Sequence, residues 1–373
     1  MNPIRTSELR VAFFVSMGVC LFAWGASSES AVLVFSITTI AGGNKAGYSG
    51  DGGPARAAQL NGPSCAAVDS RGNVYIADCR NNRVRRVRAD GAIETAIGTG
   101  ATDLQAGDAR PAIETNLVQP YGLCVDSQDN LYVISRGHSK LFKVGADGIA
   151  HRIAGTGTGG FSGDGGSSID AQIRGGNHVL VNAQGEIVLG DTGNQRIRKI
   201  DTAGIITTIA GTGDAGFSGD GGPASSAQFN GISALAFDAA GSLYVADFDN
   251  HRIRKISPEG TITSIAGTGE PKYNGDEIPA ITANIGEPCG VVVDAAGVVY
   301  IGDQFNRRVR AVTPDGIMHT VAGMGKVGLI GDNGSPALEA RLISPDILCL
   351  DTEGSIYIPD FANHAVRKLT RVK

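Results

Sequence analysis

The sequence predicts an all-β fold, a six-bladed β-propeller of four-stranded blades, on three observations. One segment recurs six times with a period near 56 residues. Each copy holds four short apolar runs separated by turn residues, the content of one propeller blade. The fourth run of the series occurs once too early and is missing at the end, so the ends must complete each other. Composition agrees: 54 of 373 residues are Gly and only 14 are Pro. That is about twice the usual ~7% Gly, without a Gly-X-Y period that would signal collagen. Charged residues at 18% and hydrophobic residues at 42% exclude bulk disorder.

The repeat is visible in two aspartate series. Asp51, Asp108, Asp164, Asp220, Asp276 and Asp332 fall in Gly-rich loops, spaced by 57 residues once and by 56 thereafter. Asp78, Asp191, Asp247, Asp303 and Asp360 form the second series, with Ser135 in the missing slot. Blade four serves as the template. Leu235–Asp238 is a first strand, Leu243–Asp247 a second, Arg252–Ile256 a third, and Thr261–Ala266 a fourth. Runs such as Val291-Val-Val293 lack polar alternation, as expected of strands buried on both faces between neighbouring blades.

The fourth strand first occurs at Ile37–Ala41, and the chain ends on a third strand at Ala365–Leu369. Pairing the two closes the ring and removes an open edge. Between blades lies a long insert, as in Gly216–Phe229, whose glycines suit tight loops. Pro54, Pro111, Pro223, Pro279 and Pro336 mark the start of a short helical turn in these inserts.

Residues 1–28 read as a signal peptide: Arg5 and Arg10, then the apolar run Val11–Trp24, then small residues Gly25–Ser28. That run of 14 residues is shorter than the ~20 of a comfortable membrane span. The expected location is secreted or periplasmic, with a retained N-terminal anchor as the alternative. The net charge of −5 and pI near 5.7 provide no footprint for nucleic acid. No membrane contact is expected beyond that anchor, and the closed ring is expected to be a monomer.

Gly241-Ser-Leu-Tyr-Val-Ala-Asp247 and Asp247-Phe-Asp-Asn-His-Arg-Ile-Arg254 resemble the NHL repeat. The Gly-Phe-Ser-Gly-Asp-Gly-Gly-Pro-Ala insert is similar to those of secreted bacterial NHL proteins. The resemblance spans residues 36–371 and implies a single six-bladed domain used for binding a protein or a small extracellular ligand. A minority of related propellers are lyases or lactonases, some of them metal-dependent. Blade two departs most, with Ser135-Arg-Gly-His-Ser-Lys-Leu-Phe142, and blade three carries Asn182 in the strand-one aspartate slot.

Residues repeated in every blade read as structure, because Asp and Asn hold turns through nearby backbone N–H groups. No cofactor is expected. Calcium is left open without a supporting motif, since it needs six to eight oxygens and no Asp-x-Asp-x-Asp run supplies them. Zinc lacks any HxH, HExxH or CxxC spacing. A ligand site needs residues that differ between blades where blades converge. The slot five before the strand-one aspartate meets that test: Ser64, Tyr121, Asn177, Ser233, Cys289 and Asp346, with His178 one step on. These seven are the candidate ligand-binding residues, placed at the channel mouth on the insert-bearing face. No catalytic residue is assigned. The alternative function is a channel-mouth enzyme using His178, Cys289 and Asp346. Cys65 and Cys79 lie at adjacent strand ends, where a disulfide is open as an expectation.

Overall fold

The computed structural model describes residues 33–104 and 107–372. The signal-peptide segment 1–28 lies outside them. Six antiparallel sheets follow one another, each built on a four-stranded meander, with a short insert strand added at the outer edge of three and the N-terminal strand completing the last. In blade four the strands are Ile232–Phe237, Leu243–Asp247, Arg252–Ile256 and Ile262–Ala266. The second strand of this blade is buried at every residue, so both faces of the sheet are covered by its neighbours.

Closure follows the expected exchange. Phe35–Gly42 pairs antiparallel with Ala365–Arg371, from Phe35 opposite Arg371 to Gly42 opposite Ala365, with a slip in register between Thr39 and Ala41. It becomes the fourth strand of blade six, and its Ile37 is wholly buried. Ala41 and Val366 from this sheet share an apolar cluster with Ala66 and Ile76 of blade one.

Each insert contributes one 3-10 turn, at Ala55–Ala57, Ala112–Glu114, Ser168–Asp170, Ala224–Ser226, Ala280–Thr282 and Ala337–Glu339. Proline caps five of the six and Ser167 the other. The residue that opens each turn, Ala in five blades and Ser168 in one, is buried. Just before the turn, the insert bonds along the outer strand of its blade. Ala109–Pro111 pairs with Ile149–His151, and Pro223 bridges Thr261. The inserts therefore shield the outer edges that a propeller otherwise leaves to solvent.

Both aspartate series are structural, and so is the strand-one aspartate slot that Asn182 fills in blade three. Asp69, Asp126, Asn182, Asp238, Asp294 and Asp351 each accept backbone N–H groups two and four residues ahead, closing the first hairpin of every blade. Asn182 does this with its amide oxygen, as its assignment to that slot requires. In the second series each side chain accepts an N–H from the insert about 17 residues earlier. Ser135 does so through its hydroxyl, accepting from Val118 at 2.9 Å.

The loop aspartates are consumed as well. Asp51, Asp164, Asp220 and Asp276 pair with Arg85, Arg198, Arg254 and Arg310, whose side chains are fully buried. Each of these arginines also reaches the second-series aspartate of its own blade. An aromatic side chain lies over the pair of arginines in each case. Phe217, for example, packs 3.9 Å from Arg252 and 4.7 Å from Arg254.

Candidate functional site

The six innermost strands begin at the insert-bearing face. In blades one, two, four and five, the register with the second strand slips at this entrance. Ser64, Tyr121, Ser233 and Cys289 lie within these bulges, which turn side chains out of the regular pleat. The slot residues are joined from blade to blade at these entrances.

The slot is not an open mouth. Ser64, His178, Ser233, Cys289 and Asp346 are buried, and only Tyr121 and Asn177 are partly exposed. Burial follows because the slot residues tie adjacent blades together. The Ser64 hydroxyl donates to the Tyr121 carbonyl at 3.0 Å. The Ser233 hydroxyl donates to the Pro288 carbonyl at 2.6 Å. The Asn177 amide reaches the Ile232 carbonyl at 3.4 Å, and the Ile347 N–H donates to the Ser64 carbonyl at 3.1 Å.

The structure brings Tyr121 and Asp346 together. The phenol donates to the carboxylate at 3.0 Å, and Arg136 stacks 5.0 Å from the centre of the Tyr121 ring. Asp346 is only 2% exposed, and burial pushes its carboxyl up to about 7. The Tyr121 hydroxyl, the Ile347 N–H and the Arg136 charge oppose that shift. Burial likewise raises the Cys289 thiol, with Asp346 adding to the effect. Arg136 was not among the sequence candidates. Its signal was the break in the repeat at Ser135-Arg-Gly-His, which replaces the usual Asp-x-x-Asn.

His178 does not join this group. Its Nδ1 accepts the N–H of Leu235 at 3.1 Å, and burial lowers its pKa to about 4. It lines the channel interior beneath the ring. Among the described residues, no group of three or more His, Cys, Asp or Glu is placed to hold a metal ion.

The disulfide expectation for Cys65 and Cys79 is corrected: both are free, buried thiols. Cys65 turns toward blade two, where its sulfur accepts the Leu123 N–H at 3.3 Å. The entrance bulge of blade one separates the two cysteines in register.

The NHL repeat model matches residues 60–87 and 229–256, the first three strands of blades one and four. Teneurin-4 of Homo sapiens is 31% identical over 239 residues, which cover 56% of this chain and 8% of that protein. The chain thus spans less than a tenth of the length of that relative. A Bacteroides thetaiotaomicron protein of unknown function superposes with a TM-score of 0.68 at 20% identity, covering 90% of this chain and 76% of that one. An auxiliary nutrient binding protein from the same species gives 0.64 at 16% identity, with coverage of 90% and 76%. A gluconolactonase of Xanthomonas campestris gives 0.55 at 16% identity, with coverage of 84% and 87%. At these identities the structures speak to the fold. Two blades thus carry NHL repeats, and the chain as a whole is a six-bladed β-propeller.

Proposed function

We propose that this is an exported binding propeller without chemistry of its own, which engages a protein or small extracellular ligand on the insert-bearing face. The observation that carries this reading is the fate of the polar groups at the ring. The Ser64, Ser233 and Tyr121 hydroxyls are all committed to bonds within the domain, and His178 is bonded to the Leu235 N–H and not to Asp346. A base and its nucleophile must approach within ~3.2 Å or one water. What remains for a partner is partly exposed Tyr121 and Asn177 beside exposed Arg136. A nutrient-binding propeller of similar fold supports the small-ligand form of this reading.

A thermal-shift screen on the chain, with and without calcium and zinc, tests it. Compounds that bind are retitrated against Arg136→Ala and Asn177→Ala, and against Phe217→Ala on the outer rim. Weakening by the first two alone supports the mouth. Weakening by Phe217→Ala alone moves the site to the rim and overturns it. N-terminal sequencing of protein from the natural host tests export, which an intact Met1 on cytosolic protein would contradict.

A second reading, a lyase or lactonase, is favoured by Asp346, whose carboxyl near 7 is suited to general acid–base work. Turnover of a lactone that is lost in Asp346→Asn would establish it.

A further inference from the structure

Beneath the polar ring the six inner strands enclose a cavity of about 310 Å³. That volume lies at the lower end of small-molecule sites. Val68, Val125, Phe237, Val293 and Leu350 line it, and each is the last residue of its inner strand. The cavity therefore opens on the hairpin-turn face, away from the inserts. Tyr121, Asp346 and the rest of the ring close its other end.

His178 stands at that closed end, 4% exposed. Because Nδ1 accepts the Leu235 N–H, the neutral ring carries its proton on Nε2. Nε2 makes no hydrogen bond among the described residues. The Nε2–H faces the channel, where an arriving acceptor can form a direct hydrogen bond with it worth about 0.5–1.5 kcal/mol. The other lining side chains are Ala, Val, Leu, Phe and Cys, so no cation is present to receive an anion.

We propose that this channel is a second ligand site, distinct from the insert-bearing mouth. It takes a small neutral molecule with a short aliphatic body and a leading carbonyl, which accepts the His178 Nε2 proton. The apolar walls select the body, and the single donor selects the head. An ionised carboxylate of the same length is disfavoured, since burying an unpaired charge costs far more than burying a ketone.

Calorimetric titration with 2-octanone tests the site, with octanoate at pH 7 as the charged control. Binding at one per chain is expected, with octanoate at least roughly tenfold weaker. Val293→Trp, which fills the opening without touching the ring, is expected to abolish ketone binding while leaving the melting temperature nearly unchanged. His178→Leu is expected to weaken ketone binding by about tenfold, the value of one hydrogen bond. Should that variant fail to fold, Val293→Trp decides the question. No ketone binding by the unaltered chain, undiminished binding by Val293→Trp, or octanoate binding as tight as the ketone would overturn the proposal.

Discussion

The Tyr121 hydroxyl in blade two donates a 3.0 Å hydrogen bond to the Asp346 carboxylate in blade six, 225 residues away. Blade one lies between them around the ring, so this bond spans a whole blade at the head of the channel. Ser64 of the intervening blade is tied to both sides, through the Tyr121 carbonyl and the Ile347 N–H. Three blades are thus fastened where the first and last segments of the chain meet.

Burial of that carboxyl sets a pH dependence, which the Tyr121 bond partly offsets. Asp346 has a folded pKa of about 7 against its ordinary 3.8. The native state therefore keeps a proton that the unfolded chain releases between those values. Its contribution to stability is complete below about pH 4 and is lost as pH rises toward 7, by up to roughly 4 kcal/mol. Asp346→Asn cannot lose that proton. Urea denaturation at pH 4.5, 6 and 7.5 is expected to show the variant gaining on the parent as pH rises. A constant difference across that range would mean that Asp346 is ionised throughout.

Asp247 is a hub of the repeat. It accepts the Asn230 N–H at 2.8 Å and the Asn250 amide at 2.9 Å, and pairs with buried Arg254 at 3.2 Å. Asp247→Ala is expected to cost roughly 3–5 kcal/mol, because it strands a guanidinium and an N–H in the core. Adding Arg254→Met to that variant is expected to recover part of the loss. Equilibrium unfolding of the two single variants and the double measures the coupling directly.

Blade six treats its arginine differently. Arg367 is fully buried, and its three guanidinium nitrogens find no hydrogen-bond partner among the described residues. Its loop aspartate, Asp332, bonds instead to the Thr39 N–H at 2.7 Å and to Arg56 at 2.6 Å. Replacing an ill-satisfied buried charge with an apolar chain is often neutral or stabilising. Arg367→Met is therefore expected to melt within a few degrees of the parent, or above it. Arg254→Met, which breaks good bonds to Asp220 and Asp247, is expected to melt well below.

A chain beginning at Gly43 lacks the closing strand. It leaves the whole edge of Ala365–Arg371 unpaired and removes buried Phe35, Ile37 and Ala41. Loss of soluble, cooperatively unfolding protein is expected. Melting indistinguishable from the parent would show that the strand is dispensable to the ring.

The sequence by itself determined the number of blades, the place of each strand and the closure of the ring. Six near copies repeat every local signal, so an error in one blade is corrected by the other five. The role of Asn182 and Ser135 was legible for the same reason: each occupies a slot whose chemistry its counterparts declare. Local turn bonds depend on neighbours a few residues away, and spacing reports them faithfully.

Only the tertiary structure decided what the variable slot does. Four of its residues sit in bulges, and their side chains are aimed by the register slip and not by sequence spacing. The Tyr121–Asp346 bond, the turn of Cys65 toward Leu123 and the placing of His178 in the channel wall all join different blades. Such contacts depend on how blades are rotated against one another, a relation that no pattern within a single repeat encodes.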